Sequence, residues 1–189
     1  MYKTFVSALL MLLSMTVICG LIYPLAVTGV AQLAFPDQAR GSLVSSGGEV
    51  VGSRLIGRSF EEPRYFWGRP SATSPRPYTS MASAGSNLGT DNPSLQDIVS
   101  WRLQRLRQAD PSNRAPVPLD LVMTSGSGLD PDISPEAARY QIPRVARLRG
   151  LSVESVTALV ARATQGRQLG LLGEPRVNVL ALNMALDGR

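Results

Sequence analysis

From Thr4 to Pro36 the chain carries no charged residue, and nothing else in the sequence restricts its folding so severely. The 23 residues from Phe5 to Val27 are predominantly apolar. As a helix rising about 1.5 Å per residue, they cover the roughly 30 Å of a bilayer's hydrocarbon. A soluble helix keeps a polar face, and this run has none. A cleaved signal peptide is the competing reading. Lys3 provides its positive start, and Gly29-Val30-Ala31 a small-x-small site before Gln32. Such a peptide normally has an apolar region of about 7–15 residues, so the length points to a retained anchor. Lipoprotein processing at Cys19 is opposed by Ile18, where a small residue is needed. Lys3 lies beside the span and Arg40 well beyond it, so the expected topology is N-terminus inside and body outside.

The chain divides on this reading into residues 1–36, with the single span, and residues 37–189, one extracytoplasmic domain. Hydrophobic residues make up 44% of the 189, enough for a real core, while 17 glycines and 14 prolines imply many loops. The net charge is +5, and Lys3 is the only lysine among the basic residues. The arginines are scattered among acids, densest at Arg102, Arg105 and Arg107, without interleaved aromatics, which argues against nucleic acid. The chain has no histidine and one cysteine, Cys19. An intrachain disulfide, a histidine-based catalytic triad and a Cys/His zinc site are thereby excluded.

The body reads as a compact α+β domain of order βαβααβ. Val50–Ile56 suggests a strand with a turn at Gly52, and Ser71–Gly89 a long irregular loop. Asn92-Pro93-Ser94 opens a helix whose apolar stripe is Leu95, Ile98, Val99, Leu103 and Leu106, with the arginines opposite. Leu119–Thr124 suggests a short strand. Ser134-Pro135-Glu136 starts a second helix, which Pro143 should stop or kink and Gly150 should close. Ser152–Thr164 is a third helix with Gly166 as terminator, and residues 177–186 form a closing strand or short helix.

Ser125-Gly-Ser-Gly-Leu-Asp-Pro131 is the most unusual run. Its glycines and serines could build a nest of backbone N–H groups for an anion, yet a structural turn explains it as well. It lacks the lysine and spacing of a phosphate loop, and Asp130 and Asp132 lack the spacing of a calcium loop. Val44–Glu49 reads as a hairpin turn, Ser83–Gly89 as a turn-rich binding edge, and Glu61/Glu62 as solvated. Gln141 has donors and an acceptor suited to an adenine edge, although capping or solvation is the commoner fate. No general base is evident, so the chain is not catalytic by itself.

Taken in order, these runs become specific. They are Gly20-Leu-Ile-Tyr-Pro-Leu-Ala-Val-Thr-Gly29, Phe35-Pro36, Gly52–Gly57, Tyr65-Phe-Trp-Gly-Arg-Pro-Ser-Ala72 and Ser86-Asn-Leu-Gly89. Asn92-Pro93, Ser125–Pro131, Ile133-Ser-Pro135, Tyr140–Ala146 and Arg176-Val-Asn-Val-Leu180 follow. Together they resemble, over nearly the whole chain, the C-subunit family (KdpC) of Kdp-type potassium-transporting P-type ATPases. One departure is Asp132, where that family commonly has histidine.

The resemblance implies an accessory subunit of an inner-membrane potassium-uptake complex. Its partners would be a channel-like potassium-translocating subunit and a P-type ATPase subunit. It implies a role in assembly and as a catalytic chaperone that raises the ATPase subunit's affinity for ATP. The family's ATP-binding label directs attention to Gln141, Ser125 and Ser127. Gly20, Tyr23, Pro24 and Gly29 would form the packing face of the span, and Asn87 a partner contact. ATP would act through the complex, with no metal bound by this chain. An envelope scaffold or solute-binding domain without a pump is the alternative.

Overall fold

In the computed structural model, which describes Met1–Gly188, the N-terminal helix outlasts its apolar run. It continues from Tyr2 to Ala34 as α1 (Tyr2–Val17), one wide π-turn (Ile18–Ile22) and α2 (Tyr23–Ala34). None of its residues is buried. The wide turn has a local cause. Pro24 has no N–H to offer the preceding turn, and its ring crowds that turn's carbonyl, so the ladder opens there. The helix ends only where Pro36 pushes Phe35 out of the helical region, to φ −137° and ψ 58°. A single turn, α3 (Pro36–Ala39), follows.

Met1–Leu43 forms one compact unit, and the chain from Val44 onward forms the other. A hairpin of β1 (Leu43–Ser46) and β2 (Glu49–Ser53) comes next in the chain. The hairpin turns at Gly47-Gly48, as the run Val44–Glu49 suggested. The turn expected at Gly52 falls instead after β2, where Ser53 bridges Ile56. Residues 54–92 then contain no helix or strand longer than that bridge. Next come α4 (Pro93–Ala109), α5 (Pro135–Arg149), α6 (Val153–Ala163) and α7 (Val179–Leu186). Between them lie three short strands: β3 (Asp132–Ile133), β4 (Thr164–Gln165) and β5 (Arg176–Asn178). The strands pair antiparallel in the order β3-β5-β4, with Ile133 and Thr164 each opposite Val177.

The fold is mixed helix and sheet, and the structure corrects or narrows further expectations. Leu119–Leu121 is a 3₁₀ turn rather than a strand. Pro118 enters it extended, and the Asp120 carboxylate accepts the Ser134 N–H at 2.7 Å, tying the turn to the start of α5. Pro143 does not stop α5. Its ring is exposed, so the carbonyl it leaves unpaired can meet water, while Ile142, Val145 and Ala146 bury the opposite face. Burying side chains of that size contributes about 1.5–3 kcal/mol each for the larger two, which offsets the roughly 3 kcal/mol of a mid-helix proline. Gly150 closes α5 in the left-handed region at φ 64°. The third helix ends at Ala163, and Thr164 rather than Gly166 terminates it, because Thr164 turns extended and enters the sheet. The core joins α5, α6 and β5 to Phe66, Trp67, Leu106, Leu121 and Leu182.

Candidate functional site

Phe66 and Trp67 are buried, yet neither belongs to a strand, so their backbone groups need partners from elsewhere. Two side-chain amides supply them. The Asn183 carboxamide accepts the Phe66 N–H at 2.9 Å and donates to its C=O at 3.0 Å. Gln141 does the same for Trp67, at 2.8 and 3.0 Å. The two amides act as a substitute strand ladder for an extended segment. Gln141 also donates to the Ala137 C=O at 3.2 Å and accepts from Arg144 Nη2 at 2.6 Å. Arg144 donates further to the Tyr65 and Pro63 carbonyls and lies 4.6 Å from the Trp67 ring centre. Gln141 is 1% exposed, and both donors and both lone pairs of its amide are in use. The expected capping or solvated glutamine is thus a structural clamp that offers no ligand a free valence.

Ser125 and Ser127 are similarly engaged. Ser125 Oγ accepts the Gly128 N–H at 2.9 Å, and Ser127 Oγ accepts the Leu129 N–H at 3.1 Å. Two of the N–H groups that an anion nest would use are therefore taken inside the turn. The turn is a junction for the long irregular segment. The Ser127 carbonyl accepts from Ala84 N and Ser83 Oγ, both at 3.0 Å. The Gly128 carbonyl accepts from Ser71 Oγ at 2.6 Å, and the Leu129 carbonyl from Gly57 N at 2.8 Å. The two loops singled out separately in the sequence are thus brought together. Asn87 sits beside them, exposed, with φ 52°.

Tyr78 lies in the same region and donates to the Arg69 carbonyl. Burial pushes its phenol up to about 12, with the Asp130 carboxylate adding to the rise and Arg69 opposing it. The folded chain keeps this proton through a window in which the unfolded chain has lost it. Stability present below the ordinary tyrosine value of about 10 is therefore lost as pH rises toward about 12. Ultraviolet titration should include a tyrosine step near pH 12, and Tyr78→Phe should abolish that step. A titration unchanged by Tyr78→Phe would contradict the assignment.

A cleft of about 260 Å³ opens between α4 and residues 59–78. Phe60, Trp67, Tyr78, Trp101, Arg102 and Arg105 form much of its wall. The Arg105 guanidinium lies 4.7 Å from the Trp67 ring centre and 5.8 Å from that of Trp101. Arg102 Nη1 donates to the Val122 carbonyl at 2.7 Å, and burial lowers its pKa. Arg69 pairs with Asp130 at 3.0 Å, while its Nε is buried without a hydrogen-bond partner. Sequence reasoning placed the α4 arginines opposite the helix's apolar stripe and found no aromatics interleaved with them. The available signal was the four-residue spacing of Trp101 and Arg105, which puts them on one helix face.

In the helical unit, Gly20, Tyr23, Pro24 and Gly29 are all exposed. A Cβ at Gly29 would meet nothing within 4 Å, and one at Gly20 only the Thr16 methyl at 4.0 Å. Asp132, where the resemblance raised the expectation of a histidine, accepts from Asn178 Nδ2 at 3.0 Å and pairs with Arg176 at 3.1 Å. Burial raises its carboxyl pKa, and Asp130 adds to the rise, whereas Asn178 and Arg176 oppose it. Among the described residues no three His, Cys, Asp or Glu side chains gather to hold a metal ion.

Comparison with known proteins gives a consistent result. The family described as KdpC, K+-transporting ATPase, c chain, matches residues 5–188. The chain is 62% identical over 181 residues to the potassium-transporting ATPase KdpC subunit of Sorangium cellulosum, covering 96% of this chain and 95% of that one. It is 61% identical over 187 residues to the corresponding subunit of Methylococcus capsulatus, covering 99% and 98%. With that of a Janthinobacterium species it shares 57% identity over 189 residues, the full length of both.

Proposed function

The chain belongs to the KdpC family, the c chains of K+-transporting ATPases, and from that premise we propose that it acts without direct contact to ATP. It is a subunit of a potassium-transporting ATPase, and the long apolar helix Tyr2–Ala34 fits a membrane-anchored subunit. In our reading the span packs against a channel-like potassium-translocating subunit. Gly20 and Gly29 leave room for close approach there, and the wide turn before Pro24 sets the bend. The domain beyond it lies outside the cell, supports assembly, and raises the ATP affinity of the P-type ATPase subunit through protein contacts.

The observation that carries the indirect reading is the state of Gln141. The residue best suited to read an adenine edge has all four amide positions occupied by Trp67, Ala137 and Arg144. Ser125 and Ser127 already cap their own turn.

A reporter fused after Arg189 tests sidedness. Activity of a periplasm-dependent reporter is expected, and activity of a cytoplasm-dependent one contradicts the placement. A photoreactive ATP analogue tests the rest in the purified complex. Labelling should fall on the ATPase subunit, and labelling of this chain at Gln141, Ser125 or Ser127 would overturn the indirect reading. Failure of two large membrane subunits to co-purify would favour the envelope scaffold instead.

A further inference from the structure

The cleft beside Trp101 carries positive charge that this chain does not neutralise. No ion pair among the described residues includes Arg102 or Arg105. Arg102 is met by a carbonyl and Arg105 by two indole rings, and Glu61 is the one acid in the wall. We propose that this cleft docks an acidic segment of a partner protein, a carboxylate being forked by Arg102 and Arg105 while its chain packs on Trp101 and Phe60. The proposal rests on the reading that the chain works inside a multisubunit complex, and it names one contact surface of that complex.

Three observations favour a protein carboxylate over a soluble ligand. The cleft's size, about 260 Å³, falls below the roughly 300–1,000 Å³ typical of small-molecule sites. That size suits a single side chain. Trp101 is 58% exposed at the rim and stands beside Arg105. Tryptophan and arginine are the residue types that concentrate binding energy at protein interfaces. Stacking on indole also leaves the N–H edge of a guanidinium free for a bidentate carboxylate. Arg102 is partly desolvated with only a neutral acceptor, so an arriving anion relieves a cost already present in the free chain.

The test uses the full-length chain assembled with its co-expressed subunits, with Trp101 replaced by photoreactive benzoylphenylalanine. Irradiation should give an adduct to a subunit segment that contains Asp or Glu. Arg105→Glu should cut the yield by about tenfold or more, with Arg105→Lys intermediate. Reversing the acids of the captured segment to arginine should restore the yield with Arg105→Glu. Arg139→Glu, at an exposed ion pair on α5, should leave it unchanged.

Four results would overturn the proposal while the subunit reading stands. They are no protein adduct in an intact complex, an adduct segment without acids, indifference to Arg105→Glu, or saturable displacement by inorganic phosphate. If the unmodified chain brings down no complex, both fall together.

Discussion

Replacing Gln141 with leucine is expected to lower the unfolding free energy by about 3–5 kcal/mol, because it strands several buried polar groups at once. The Trp67 N–H and C=O would lose their partners, and Arg144 would lose its acceptor at 2.6 Å. A buried polar group left unpaired costs about 1–3 kcal/mol, whereas the leucine's gain in apolar burial is smaller than their sum. For a chain of this size that corresponds to a midpoint lower by roughly 10 °C. The change is best followed by near-ultraviolet circular dichroism, since Trp67 itself is released. Asn183→Leu should act alike on Phe66. The double variant should cost less than the two singles added, because both hold one continuous segment. A midpoint for Gln141→Leu within about 2 °C of the parent would show that the clamp is dispensable. Trp67 and Arg69 also wall the arginine-lined cleft, so the same variant should loosen that surface without touching it directly.

The clamp also shows where the sequence was readable. Helix starts are legible because one side chain and one nearby N–H determine them. Asn92, Ser134 and Ser152 each accept from their own helix's first turn, as their residue types imply. The apolar anchor is legible for the same local reason. Strands of two or three residues carry no periodicity, so β3, β4 and β5 leave no mark that differs from a loop. The apolar run at Leu119–Met123 fits a strand and a helical turn equally well, and Pro118 with Asp120 decides between them.

Gln141 stands between these cases. It sits four residues after Ala137 and four before Val145, both fully buried, so its burial was readable from the helix face. Its partners were not, because Trp67 lies 74 residues away and no local rule joins them. The cleft was hidden likewise. The Trp101/Arg105 spacing is local, but Trp67 comes from the irregular segment that the amides hold in place.

Gly128→Ala is the second large effect, expected to cost about 3 kcal/mol against a change within about 0.5 kcal/mol for Gly126→Ala two residues earlier. The sequence treats these glycines as equivalents in one Ser-Gly-Ser-Gly run, and their surroundings separate them. Gly128 is buried at φ 66°, where an L residue loses roughly 1–2 kcal/mol. A Cβ there would also press into the Ala84 carbonyl and lie 2.8 Å from the Thr73 methyl. Neither neighbour can swing aside freely. The Ala84 N–H is bonded to the Ser127 carbonyl, and Thr73 Oγ1 donates to the Arg76 carbonyl at 2.7 Å. Gly126 is exposed, and a Cβ there meets nothing within 4 Å. Thermal unfolding of the two single variants measures the difference directly. Equal losses would mean that the run acts through chain flexibility or a ligand nest that both glycines serve. A loss confined to Gly128 would mean that the run is a weld, joining Gly57, Ser71 and Ala84 into the frame that carries Arg69 and Tyr78.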